Sequence, residues 1–411
     1  MSKAYLLIIC LIAATFTGCI DEELESTSDN TTNNTSDNTT NNTSDNTTNN
    51  TSDDTEIAQW TFMVYISDSD LEYFAIEDMI EMEGVGSTDK VNIVVQMDRW
   101  DGYDKPDWND ESNGDWETAK RYLITKENKG EHVIGSTALQ DIGEINTGNP
   151  DELVEFVQWT QTNYPAKHYA LDIWDHGSGA AGVAYEQSCP DFCWHNGNDA
   201  DKLELSEIDS ALSEITNKGE NKLDIVGFDA CLMSTIEVVE AVAPYSDLMI
   251  GSEILEPGTG WDYSFLQLLV DNPSTTPEQL GSKIVDTFVA QSTTESYALT
   301  MLNMSKADDA IGAINALTEL KDSTTLISDL EAIRYYSVHA EPGDSSSAVD
   351  LLHLLTSLSQ YTTDYAVKNA AEEAAANVSA MIMKAEFAGV VSDIDTTGMT
   401  GISILFPNLE N

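Results

Sequence analysis

Two short blocks carry side chains able to do covalent chemistry. HYALDIW runs into Asp175-His176-Gly177-Ser178-Gly179, and LDIVGF runs into Asp229-Ala230-Cys231. A thiolate is a strong nucleophile, but a free cysteine is mostly protonated at neutral pH and needs a base or a favourable field. An imidazole titrates in the range where it can take that proton and return it to a leaving amine. His176 and Cys231 are therefore a candidate base and nucleophile. The amides of Gly177 and Cys231 are candidate donors to a tetrahedral oxyanion. Gly177 and Gly179 would let a substrate backbone come close. Each residue also has an ordinary reading: a cysteine after a strand is a small buried hydrophobe, and a histidine among glycines is a loop residue. Their matched placement, each directly after an apolar run, favours chemistry.

Cysteine usage points the same way. Of five cysteines, Cys10 and Cys19 belong to an N-terminal export segment. Cys189 and Cys193 lie four apart in an irregular stretch, and in an oxidising compartment they can pair. Cys231 is then the odd thiol. Cys189, Cys193 and His195 fit no standard zinc spacing, so no metal site is assigned.

The elements that must position these groups follow from periodicity. Apolar runs at 60–66, 91–97, 168–174, 223–228, 248–252, 297–302 and 401–406 read as buried strands. Helical patterns lie between them at 71–83, 150–163, 205–216, 231–243, 277–291 and 305–320. Asn149-Pro150 and Ser206 read as helix starts. The alternation predicts an α/β fold with a largely parallel central sheet and helices on both faces. In such sheets, ligands bind at the carboxyl ends of the strands, where His176 and Cys231 stand. The pattern at 231–243 begins at the cysteine, so a helix N-terminus is expected to favour its thiolate.

The chain falls into three parts. Lys3, the apolar run Ala4–Phe16 and Thr17-Gly18-Cys19 read as a signal peptide over 1–18. This segment resembles a lipobox, which would make Cys19 a lipidated first residue. Residues 19–56 contain three copies of NTTNNTSD over 30–53. That stretch is too polar to bury a core and reads as a disordered tether, with glycosylation sequons at Asn30, Asn34 and Asn38. Residues 57–411 form the third part. The net charge of −54 argues against a nucleic-acid partner; it would favour basic substrates, although adaptation of the whole surface explains most of it, because the acids are spread along the chain.

The two strand-end blocks, taken with WTFMVYISDSDLEYFAIEDMIEME, MDRWDGYD, GDWETAKRYLI, GSEILEPGTGWDYSFLQLL, DLLHLLTSL and GISILFP in that order of segments, resemble the clostripain family of cysteine peptidases. The resemblance runs from Trp60 to Pro407. It implies a caspase-like fold, shared with gingipains, legumains and caspases. It also implies a cysteine endopeptidase with a Cys231–His176 dyad and no required third carboxylate. It places Asp229 at the base of the S1 pocket, where a carboxylate would bind Arg bidentately or Lys as a point charge. The substrates implied are proteins or peptides with a basic P1 residue. Asp229 as a cap of the following helix is the competing reading. Family members are often cleaved between the His and Cys strands, and Lys202, Lys218 and Lys222 are the basic side chains of that interval. A Cys189–Cys193 disulfide would depart from the family and staple the loop. No cofactor is required; Ca²⁺ accompanies some relatives and stays open here, since Asp98, Asp101 and Asp104 are available but no Asp-x-Asp-x-Asp-Gly loop exists. A monomer outside the cell, held to the membrane through Cys19, is expected. The rival from another class is a catalytically silent surface glycoprotein on the same fold.

Overall fold

Runs rich in Val, Ile, Met and aromatic residues, buried along most of their length, form the centre of a nine-stranded sheet. The computed structural model describes residues 57–100, 113, 116–129, 132–187, 201–291, 296–321, 323–339, 348–388 and 396–406. The chain divides into two units, Met1–Glu56 and Ile57–Asn411. The first unit, with the leader, Cys19 and the repeats, lies outside the described residues, as do Cys189, Cys193, His195, Asp101 and Asp104.

The strands are β1 (Ala58–Ile66), β2 (Val91–Met97), β3 (Ala119–Leu123), β4 (Ala138–Gly143), β5 (Ala166–Trp174), β6 (Val183–Glu186), β7 (Asp201–Leu203), β8 (Leu223–Asp229), β9 (Ser246–Gly251), β10 (Tyr297–Asn303), β11 (Ala348–Asp350), β12 (Ile382–Ala388) and β13 (Ser403–Leu405). The large sheet has the order β12-β10-β9-β8-β5-β1-β2-β3-β4. Its centre, β2-β1-β5-β8-β9, is parallel. Two antiparallel strands flank that centre on each side. Parallel strands need both faces covered, and both are. Phe62, Val64 and Ile66 of β1 pack with Met79 and Met82 of the helix Glu72–Val85 and with Ile284 and Phe288 of the helix Pro277–Ala290. Met63 and Tyr65 point the other way, to Phe156 and Val157 of the helix Pro150–Asn163 and to a layer that includes Leu212 and Val238. Each such fully buried side chain contributes about 1.5–3 kcal/mol.

The register sets the site. Ile66 of β1 lies opposite Trp174 of β5, and Trp174 lies opposite Asp229 of β8. The chain leaves three neighbouring strands at one level, so His176 and Cys231 each stand two residues beyond a matched pair.

Several expectations are corrected. The helix expected at 231–243 spans Ile236–Val242, with Thr235 as its N-cap accepting from the Val238 amide. The run at 401–406 is not in the main sheet; β13 pairs with β11 in a two-stranded sheet. The helix Leu205–Ile215 starts at Glu204 rather than Ser206, and the Glu204 amide donates to Glu207 at 2.9 Å. Asn149-Pro150 does open its helix, with the Asn149 side chain accepting from the Asp151 amide.

Candidate active site

His176 and Cys231 are carried by two loops that interlock. Gly177 sits against the Cys231 backbone: a Cβ there would stand 2.2 Å from the Cys231 carbonyl oxygen and 3.1 Å from its nitrogen. Only a residue without a side chain lets the loops meet this closely. The Cys231 loop is pinned from its other side, with Leu232 N–H donating to Ile254 O at 3.0 Å and Ser234 N–H to Ser252 O at 2.8 Å. Leu232 has φ +65°, a left-handed conformation that costs a non-glycine residue about 1–3 kcal/mol. That strained turn directly follows the nucleophile and ends the strand direction.

Cys231 is a free thiol among the described residues. Its Sγ accepts the Glu256 amide at 3.2 Å. Burial pushes the thiol pKa up, the Glu256 amide opposes this, and the nearby negative charges of Asp229 and Asp175 add to the rise. The expected helix field is missing from this balance, because Cys231 lies in a turn five residues before the helix Ile236–Val242. Among the described residues the amides of Gly177 and Cys231 donate to no backbone carbonyl.

His176 is half-exposed, and its Nε2 lies 2.7 Å from Asp70 Oδ1. With Asp70 accepting from Nε2–H, the lone pair rests on Nδ1, the nitrogen left to take a proton. The Tyr185 ring meets the imidazole edge-on at 6.5 Å, and Tyr185 O–H donates to Ser178 Oγ at 2.8 Å. Asp175 beneath His176 is buried, and burial raises its pKa to about 7. Sequence reasoning missed Asp70: it lies 106 residues from His176, in a Ser-Asp-Ser-Asp stretch with no local mark of function.

Beside the thiol is a nest of buried acids. Asp229 is 4% exposed, and both its oxygens accept the Trp261 amide at 3.1 and 2.9 Å. The Tyr263 hydroxyl lies 2.7 Å from Asp172 Oδ2 and 3.0 Å from Asp229 Oδ2. Asp229 N–H donates to Asp172 Oδ1 at 3.1 Å. Glu256, from the loop after β9, lies against Asp229 and interacts with it carboxyl to carboxyl. Burial is the largest influence on all three acids, and it raises Asp172 and Glu256 well above the carboxylate range. Asp229 rises only to about 6 because the Trp261 amide favours its charged form. Asp229 is thus the acid of the three whose charged form the surrounding hydrogen bonds favour most. It caps no helix. Glu256 was also missed; its only sequence signal is an acid in the loop after the strand next to the cysteine's.

The three lysines differ in placement. Lys202, in β7, holds its Nζ 5.4 Å from the Tyr185 ring centre, which links it to the His176 loop. Lys218 is exposed in a left-handed turn at φ +59°. Lys222 Nζ donates to Ala243 O at 2.9 Å.

The sequence pattern of the Clostripain family matches residues 64–411. Clostripain from Hathewaya histolytica is 26% identical over 325 residues, which are 68% of this chain and 60% of that protein. The chain therefore matches about 60% of that relative's length. The fold is shared with an inactive zymogen C11 protease from Parabacteroides distasonis, at a TM-score of 0.62 and 19% identity, covering 86% of this chain and 93% of the other. It is shared as well with a secreted C11 cysteine protease from Bacteroides thetaiotaomicron in complex with an irreversible peptide inhibitor, at a TM-score of 0.59 and 18% identity, covering 86% and 94%.

Proposed function

The chain belongs to the clostripain family, and from that premise we propose that it is a cysteine endopeptidase cutting after Arg or Lys. The observation that carries the proposal is the register of β5 and β8, which delivers His176 and Cys231 at one level in interlocked loops. In this mechanism His176 takes the thiol proton and Cys231 Sγ attacks the scissile carbonyl. The Gly177 and Cys231 amides hold the oxyanion. His176 returns the proton to the departing amine, and water then hydrolyses the thioester with His176 as base. Asp70 holds the imidazole in the tautomer this requires. Asp229 supplies the negative charge for a basic P1 side chain, and Glu256 and Tyr263 line the same acid nest.

A peptidyl-Arg chloromethyl ketone tests this reading. It is expected to alkylate Cys231 alone, and His176→Ala is expected to slow labelling by about 100-fold or more. A folded, fully processed sample that takes up no label would defeat the peptidase reading. Export, anchoring through Cys19 and self-cleavage belong to the same proposal. They are supported by the leader-like residues 1–18 and by Lys202, whose position over Tyr185 brings it toward the dyad. Mass spectrometry of protein purified from membranes is expected to show a lipid-bearing fragment starting at Cys19 and a second fragment starting at Leu203. A single unmodified chain with full activity would remove both.

A further inference from the structure

The imidazole of His176 has a second neighbour besides its carboxylate partner. His176 and Asp70 are both open to water, with side chains 40% and 48% exposed. A charge pair in that setting is screened and restrains two side chains only weakly. The Tyr185 ring stands beside the same imidazole, at 6.5 Å and nearly perpendicular to it.

Tyr185 is itself pinned at several points. Its amide donates to Asp175 Oδ2 at 2.5 Å and its hydroxyl to Ser178 Oγ at 2.8 Å. Lys202 Nζ lies 5.4 Å from its ring centre. Asp175 is buried, and its own amide donates to Asp229 O at 3.3 Å, at the end of the nucleophile's strand. β6 is folded back onto the His176 loop by a bridge between Gly177 and Val183 and by the Ser178 amide, which donates to Gly182 O at 2.9 Å. Backbone strain marks the same place. Ala184, directly before Tyr185, is fully buried and has φ +59°. A left-handed alanine is unfavourable and persists only where its surroundings over-determine it. It falls where the pairing of β6 with β7 is irregular, between Val183 and Glu186. Such an irregularity re-aims the side chain that follows, which here is Tyr185.

We propose that Tyr185 is a positioning residue for His176. Its ring restricts the imidazole to the rotamer that gives Nε2 to Asp70 and leaves Nδ1 for the thiol proton. Asp175 transmits this placement, because it joins the end of β8 to the Tyr185 amide and carries His176 as its neighbour in the chain. The effect on turnover rests on the peptidase reading; the placement of the ring does not.

Two measurements keep these apart. In the first, proton–nitrogen NMR of the full chain as Cys231→Ala, at about pH 8.5 where an ordinary imidazole is neutral, reads the His176 tautomer. The His176 signals are those lost on His176→Ala in the same background. A single Nε2–H tautomer is expected. Tyr185→Ala is expected to mix the two tautomers, and Tyr185→Phe to keep one. The second measurement is hydrolysis of a peptidyl-Arg amide. Tyr185→Ala is expected to lower kcat by about tenfold or more with KM within about twofold of native, and Tyr185→Phe to restore kcat to within about threefold. Tyr336→Ala, 79% exposed and outside the site, should match the native chain in both measurements. If Tyr185→Ala does not fold, Tyr185→Leu makes the same comparison, since it keeps bulk and removes the flat ring. A native His176 signature in Tyr185→Ala, a loss confined to KM, or a loss of kcat that Tyr185→Phe shares in full would overturn the proposal. A single tautomer that Tyr185→Ala mixes, in a chain whose Cys231 takes no peptidyl-Arg label, would support the positioning and remove the peptidase reading alone.

Discussion

At the scale of single residues, the site has a tension that its substrate can resolve. The Cys231 thiol is held up by burial and by the charges of Asp229 and Asp175, so the free protein carries little thiolate at neutral pH. A cation beside Asp229 cancels part of that field. The sign follows directly: less negative charge nearby favours the thiolate and lowers the thiol pKa. Alkylation of the free protein by iodoacetamide is therefore expected to accelerate steadily from pH 7 to about 9. At pH 7.5, methylguanidine is expected to raise the alkylation rate several-fold, toward a limit of about tenfold per pKa unit. In Asp229→Asn the basal rate should be higher and the cation should have no effect. A rate that methylguanidine leaves unchanged in the native chain would separate Asp229 from the nucleophile. Basic substrates would in that design help to ionise the group that attacks them.

At the scale of elements, the Gly177 loop fitted against Cys231 carries the next expectation. In Gly177→Ala the new Cβ meets the Cys231 carbonyl oxygen at 2.2 Å, and backbone cannot yield as a flexible side chain can. kcat/KM is expected to fall by about 100-fold or more, equal to about 2.7 kcal/mol of transition-state stabilisation. Gly312→Ala is the contrast. Its Cβ meets nothing within 4 Å in the helix Ala307–Thr318, so activity should hold and stability should rise by about 0.5–1 kcal/mol. Equal activity of the two variants would deny the Gly177 contact any role. The central strands were legible because parallel strands buried on both faces read as unbroken apolar runs. The edges were not: β3 and β12 mix charge with apolar residues, as in Arg121, whose Nε donates to Gln96 Oε1 at 2.8 Å, and Lys384, which pairs with Asp286 at 2.5 Å. The cysteine's helix was placed too early because Leu232 and Met233 continue an apolar period. Met233 is buried by tertiary packing rather than by helix, and Thr235 was the true start signal. His176 and Cys231 could be read as candidates from strand ends, and Asp229 from the family resemblance; Asp70 and Glu256 could not, because they reach the site on loops brought together only by the sheet order.

At the scale of the whole molecule, the number of buried acids sets an unusual response to pH. Burial raises Asp175 and Glu81 from 3.8 and 4.5 to about 7, and Asp229 from 3.8 to about 6. Opposing groups are near each: His176 lowers Asp175, the Tyr263 amide lowers Glu81 and the Trp261 amide lowers Asp229, but desolvation wins in all three. The folded chain therefore holds protons that the unfolded chain has released. Their stabilisation is fully present below the ordinary carboxylate values near 4 and is lost as pH rises through about 6–7. Tm is expected to be higher at pH 6 than at pH 8 by several degrees, measured with a chelator so that no divalent cation contributes. The net charge of −54 pushes in the same direction, since protonation relieves surface repulsion. Salt separates the two causes, because at 1 M the screening length is about 3 Å and surface repulsion is suppressed while buried groups are hardly affected. The pH 6 to pH 8 difference should persist in 1 M KCl and shrink in Asp175→Asn. A difference that vanishes in salt, with Asp175→Asn matching the native chain, would assign the pH response to the surface and clear the buried acids of it.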